Sequence, residues 1–147
     1  MDIRYKIKTA VAKDILVHLA ECSENFSPPL MKRVDLEEYS GKLFEKSVTF
    51  EAWKEFSLVG LIAVYFNEFD SSAFITNVSV LRNFMGLGVA SKLLEQCIEY
   101  AARKSFEEIK LEVNAESIYA IKLYGKFDFT VDSVNGDFLI MKLKLNK

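Results

Sequence analysis

Two cysteines, two prolines and a single histidine are all that this 147-residue chain contains of the residues that staple, break or ligate. Cys22 and Cys97 lie far apart, with no CxxC and no Cys/His spacing, which excludes a disulfide framework and a zinc site. The prolines are adjacent, Pro28 and Pro29, so only one place in the chain is broken by them. No apolar run approaches the ~20 residues that span a bilayer. The N-terminal MDIRYKIKTA alternates polar and apolar residues, unlike a signal peptide. Charge of one sign is lacking too. The 19 Lys and Arg are balanced by 21 Asp and Glu, with no Lys/Arg-dense stretch, which argues against nucleic acid or an anionic membrane as the main partner. These absences together predict a cytoplasmic chain with reduced thiols and no metal.

What is present suits one domain, residues 1–147, with 50% hydrophobic residues to build a core. Ile3–Lys8 alternates as a strand, and Ala12–Cys22 reads as a helix with Ile15, Leu16 and Leu19 on one face. After the break at SENFSPPL, Asp35 can cap a second helix reaching about Lys46, with Leu36, Tyr39 and Leu43 inward. VTFEAWKEF, LVGLIAVYF and SAFITNVSV then read as consecutive antiparallel strands. Gly88–Arg103 carries Ala90, Leu93, Leu94, Cys97, Ile98 and Ala101 at helical spacing. EIKLEVN is a further strand and Ser117–Phe127 a further helix. A hairpin with a type I′ turn at Asn135-Gly136 ends the chain. The order is that of an α/β (α+β) protein with a mixed sheet.

The junction VSVLRNFMGLGVASKLLEQC passes from β-branched strand to amphipathic helix through Gly86 and Gly88. Glycines at a helix start let backbone N–H groups approach a phosphate, and the helix dipole favours the anion. They also serve simply to shape a tight turn. No GK[ST] follows, which excludes a Walker loop. A Rossmann strand runs almost directly into its first glycine, whereas LRNFM intervenes here, so a nucleotide oxidoreductase is disfavoured.

The same stretch resembles the acetyl-CoA-binding segment of the GNAT N-acetyltransferases, whose loop pattern is Q/R-x-x-G-x-G/A. IKLEVNAESIYAIKLYGKFDF is similar to the family's later strand, helix and LYEKLGF segment. The resemblance is strong over roughly Ala73–Phe129, and the first 50 residues match only in outline. It implies the GNAT fold, a mixed and mostly antiparallel sheet of about seven strands flanked by four helices. It also implies acetyl-CoA as co-substrate, bound where the Ala73–Leu81 and Ile109–Asn114 strands splay apart. The pyrophosphate would meet Met85, Gly86, Leu87, Gly88, Val89, Ala90 and Ser91, chiefly through backbone amides. Met85 departs from the pattern, standing where the family has Gln or Arg. Asp128 departs too, standing where the family has a helix-ending glycine, and Asp tolerates the left-handed conformation.

An amine attacking a thioester must lose a proton, and the thiolate that leaves should gain one. By resemblance, backbone amides of Asn77, Val78, Ser79 and Val80 serve the thioester carbonyl. Tyr124 matches the family tyrosine that faces the sulfur. From spacing alone it is a core tyrosine on the stripe of Ala120, Ile121 and Phe127. Glu112, 12 residues before Tyr124, resembles the base of the ribosomal-protein alanine acetyltransferases. It also alternates as a water-facing strand residue would. Asn114 and Ser117 are candidates for CoA contact or helix capping, with capping the expected job of Ser117. His18 is expected to be structural or exposed.

The implied acceptor is a small-molecule or peptide amine, with the chain acting as a monomer or homodimer. Phe26, Trp53, Tyr65 and Phe66 are candidates to line its pocket. The FSPPL loop is similar to loops of GNAT proteins in carbohydrate-biosynthesis settings, which points to an amino sugar; the Glu/Tyr spacing points to a peptide amino terminus. A non-catalytic acyl-CoA-binding sensor module is the alternative of a different class.

Overall fold

The computed structural model describes residues 2–26 and 29–145, so Ser27 and Pro28 of the FSPPL loop lie outside the described residues. Strand β1 (Arg4–Ile7) leads to helix α1 (Ala12–Cys22) and helix α2 (Leu36–Lys46). Then follow β2 (Val48–Lys54), β3 (Ser57–Asn67), β4 (Ser72–Val80), α3 (Val89–Arg103), β5 (Glu108–Asn114), α4 (Ile118–Lys126), β6 (Thr130–Asn135) and β7 (Phe138–Lys144). The seven strands form one sheet in the order β1-β2-β3-β4-β5-β7-β6, antiparallel throughout except between β4 and β5. That parallel step is needed because α3 carries the chain across the sheet between those two strands.

Each face of the sheet has its own core. Ile15 and Leu19 of α1 and Leu43 of α2 bury against Trp53, Leu61 and Ala63 on one face. Leu93, Leu94, Cys97 and Ala101 of α3, with Tyr124 of α4, bury against Phe50, Ile62, Ile75, Ile109 and Leu111 on the other. Burial on both faces explains why the middle strands read as near-continuous apolar runs. The closest approach is at Gly60 on β3. A Cβ there would lie 2.7 Å from Val89 Cγ1, so the missing side chain is what lets the start of α3 reach the sheet.

Several expectations are corrected. The buried stripe of α1 is Ile15, His18, Leu19 and Cys22, with Leu16 only half-buried. The final hairpin turns at Gly136-Asp137, since Asn135 pairs with Phe138, and φ is positive at Gly136 alone. That is the II′ pattern, which asks for glycine at the first central position. Asp35 does cap α2, accepting from the Glu38 N–H at 3.1 Å, and Asp128 does hold a left-handed φ of 73° after α4.

Glu51 was not foreseen as a structural residue. It is fully buried on β2, and its carboxylate accepts from the Thr9 and Ala10 N–H groups and from Trp53 Nε1, each at 3.0 Å. The hydroxyls of Thr9 and Thr49 add two more bonds. It ties the β1–α1 junction to the sheet.

Candidate active site

The site originates in a pairing that stops early. Strands β4 and β5 pair from Ser72↔Glu108 to Ile75↔Leu111 and then separate. The β3–β4 register shifts between Ala63↔Asn77 and Val64↔Ile75, leaving Thr76 as the extra residue of a bulge. Beyond it, β4 pairs only with β3, and Glu112, Val113 and Asn114 pair only with β7. A bulge bends its strand, and this one bends β4 away from β5. The cleft so opened has a volume of about 430 Å³.

Nine of the expected residues line it: Asn77, Val78, Ser79, Val80, Met85, Glu112, Asn114, Ser117 and Tyr124. Glu112 is solvent-exposed on one wall. Tyr124 is 6% exposed and packs on Phe129 with ring centroids 5.9 Å apart. Burial pushes its phenol up to about 12, so it is a proton donor at neutral pH. It is a core tyrosine, as its spacing predicts, and it also lines the cleft.

The turn into α3 continues from Met85, which is half-exposed on the cleft. Gly86, Leu87, Gly88, Ala90 and Ser91 are not on the cleft wall itself. Gly86 and Gly88 have φ of 77° and 82°, and nothing lies within 4 Å of where a Cβ would stand on either. The first turn of α3 has no acidic residue. An open, left-handed backbone before the free N–H groups of a 15-residue helix fits a phosphate. Val89, by contrast, is buried against Gly60, so only its backbone faces that approach.

Ser117 stands at the N-cap of α4 but its side chain makes no capping bond. Asn114 does the local work instead, its Oδ1 accepting from the Glu116 N–H at 2.8 Å. His18 is buried, not exposed. Its ring lies 2.9 Å from Leu58 O through Nδ1 and 2.9 Å from Ser79 Oγ through Nε2, and Ser79 Oγ lies 2.8 Å from the Asn77 amide. Burial lowers the imidazole to about 4, outweighing the backbone hydrogen bonds at Leu58 and Ser79, which favour the proton.

Of the four aromatics expected at an acceptor pocket, only Phe26 lines the cleft. Trp53 is spent on Glu51, Tyr65 packs beside α2, and Phe66 stacks with Tyr100 and Phe106 away from the site. Sequence reading missed Leu30, Arg33, Tyr39, Phe74 and Phe138, which also line the cleft. Tyr39 donates to the bulge carbonyl of Thr76 at 3.1 Å, and Arg33 lies 5.9 Å from the Phe138 ring centroid. Arg33 precedes α2 in an irregular segment, where no periodicity marks it; Tyr39 was readable as inward but not as cleft-facing. Among the described residues, no group of three or more His, Cys, Asp or Glu is placed to hold a metal.

A family model described as acetyltransferase (GNAT) family matches residues 13–129. Streptothricin acetyltransferase A from Bacillus subtilis (strain 168) is 26% identical over 114 residues. That match covers 76% of this chain and 65% of that protein, so the chain matches less than two thirds of the curated relative's length. In fold, the chain is similar to PaiA N-acetyltransferase from Thermoplasma acidophilum in complex with coenzyme A, at TM-score 0.79 and 16% identity over 98% of this chain and 99% of that one. It is also similar to the ribosomal-protein-S18-alanine N-acetyltransferase from Escherichia coli, at TM-score 0.80 and 16% identity over 98% and 96%.

Proposed function

The chain belongs to the acetyltransferase (GNAT) family, and from that premise we propose that it moves an acetyl group from acetyl-CoA to a primary amine by direct attack in a ternary complex. The observation that carries this reading is the cleft where β4 and β5 part, walled by Tyr124 and Glu112 and adjoining the glycine turn of α3. Acetyl-CoA supplies a thioester, an acyl group activated by a good leaving thiolate. Backbone N–H groups freed over Asn77–Val80 donate to its carbonyl oxygen as negative charge grows there. The amides from Gly86 to Ser91 hold the pyrophosphate. Glu112 takes the proton that the acceptor's ammonium must lose, and Tyr124 returns one to the departing sulfur. Solvent exposure suits Glu112 to passing that proton on, whereas burial keeps the Tyr124 proton in place until a thiolate forms beside it.

The acceptor is a small-molecule amine or a peptide amino terminus. The curated relative is named for streptothricin and one structural neighbour for the alanine of a ribosomal protein, and both names fit an amine acceptor. The apolar Met85 favours the second reading, a CoA-binding module without turnover. A panel of amino sugars, polyamines, amino acids, streptothricin-type amines and peptides, assayed for release of CoA thiol, separates the two. Turnover with any amine establishes the transferase; tight CoA binding by calorimetry with no turnover across the panel establishes the module.

A further inference from the structure

Three buried polar side chains run from the interior to the cleft wall, and as placed they have one hydroxyl proton for two acceptors. Leu58 O can only accept, so His18 Nδ1, 2.9 Å away, carries the ring proton. No carboxylate is hydrogen-bonded to the ring among the described residues, and burial keeps it neutral at physiological pH. Nε2 is then a bare acceptor that needs a donor. Ser79 Oγ stands 2.9 Å from it, and Cys22 Sγ, a weaker donor, 3.7 Å. Once the Ser79 proton points at Nε2, the same oxygen can only accept from Asn77, 2.8 Å away. The oxygen and nitrogen ends of an amide are told apart by the partners they find. The near end of Asn77 must therefore be Nδ2, which turns Oδ1 the other way.

Asn77 is 4% exposed and lines the cleft at the point where β4 leaves β5. We propose that His18 and Ser79 act as positioning residues that hold the Asn77 amide with its carbonyl oxygen toward the cleft, where it accepts a hydrogen bond from the acceptor's amine and aims that amine at the thioester. This rests on the transferase reading and gives it an amine-binding group. The reacting nitrogen has to keep its lone pair on the thioester carbon, so its N–H bonds need fixed acceptors elsewhere. Asn77 Oδ1 is such an acceptor, uncharged and on an amide held by Ser79, in the cleft whose wall also carries Glu112. A rigid chain of hydrogen bonds costs the amine little ordering when it binds.

Two measurements on the full chain test this. His18 is the only histidine in the sequence, so long-range proton–nitrogen NMR reads its ring without ambiguity. The proton is expected on Nδ1 at neutral pH, and a proton on Nε2 overturns the chain of donors and the proposal with it. Kinetics of Asn77→Ala and Ser79→Ala, with Ser79→Thr as the variant that keeps the hydroxyl, give the second. For an amine that the wild type acetylates, kcat/KM is expected to fall about 5–100-fold in Asn77→Ala, the range for leaving a buried N–H donor without its acceptor. CoA affinity by calorimetry should stay within about twofold, and Ser79→Thr should recover most of what Ser79→Ala loses. If Asn77→Ala weakens CoA binding and spares the amine, the oxygen serves CoA and the proposal fails while the transferase reading stands. A wild type that acetylates nothing in the panel fails the transferase reading first, and the amine role with it.

Discussion

Tyr124 is both a core residue and, on the proposed mechanism, the proton donor. Its ring fills the α4 side of the core against Phe129, and its burial is the same fact that holds the hydroxyl proton up to about 12. Tyr124→Phe keeps the packing and removes the donor. We expect kcat to fall ~10²–10⁴-fold, the usual worth of general acid–base help, with acetyl-CoA affinity nearly unchanged and the thermal midpoint close to wild type. Glu112→Gln should lose activity most at neutral pH and regain it as pH rises and free amine becomes abundant. A pH series of kcat/KM for the amine in both variants checks the pair; equal activity in Glu112→Gln at every pH removes Glu112 from the mechanism. His18 makes a prediction of another kind. Its imidazole titrates near 6.5 when unfolded and about 4 when folded, so the unfolded chain binds more protons between those values. Stability is full above pH 6.5, declines through that window, and has lost about 3 kcal/mol from this group once pH falls below 4. Urea unfolding at pH 7, 5.5 and 4.5 should show the decline, which is expected to be much shallower in a His18→Gln chain that still folds.

At the scale of elements, the proposed function depends on two distances from the middle of the sheet. The first is the separation of β4 from β5 after the Thr76 bulge, which makes the cleft. The second is the approach of α3 to β3, which places the glycine turn proposed to hold the pyrophosphate. Gly60→Ala would put a Cβ 2.7 Å from Val89 Cγ1, 3.1 Å from Leu93 Cδ1 and 3.3 Å from the Ala52 Cβ. Val89 is β-branched, buried and stiff at χ1, so relief is expected to come from a lift of the start of α3. The expected result is a loss of roughly 1–3 kcal/mol from overpacking, read by urea unfolding, together with weaker CoA binding although Gly60 touches no ligand. Gly88→Val acts directly. A β-branched residue at φ 82° is strained, and its side chain would fill the open space before the helix N-terminus. CoA binding by calorimetry should drop at least tenfold, and a variant that binds CoA normally would place the pyrophosphate elsewhere.

The whole molecule offers the broadest check, because a ligand seated between the halves of the sheet stabilises the entire fold. Free CoA at about 100 times its dissociation constant should add ~2.7 kcal/mol. For a chain of this length that raises Tm by roughly 5–10 °C, and the rise should vanish in Gly88→Val. Elements were legible across the chain because each obeys a local rule: a continuous apolar run in β3, period two in β4, period 3.6 in α3, Asp35 before α2, glycines at the turn. The loop and Tyr124 were legible because short-range spacing and a family resemblance carry them. Arg33, Phe74 and Phe138 were not, since they meet only when the segment before α2 folds over β4 and β7. Glu51 looked like any strand carboxylate until the donors of its own strand were joined by those of Thr9 and Ala10, 42 and 41 residues earlier in the chain. The amino-acid sequence alone therefore determined the order of elements, the left-handed glycines and the residue types available for proton transfer, since these follow from neighbours along the chain. Which of them face one another was decided by the tertiary structure. The Thr76 bulge, the Gly60–Val89 contact and the bond of His18 to Ser79 join residues far apart in sequence, and pairing at that range is set by packing of the whole sheet, not by any local preference.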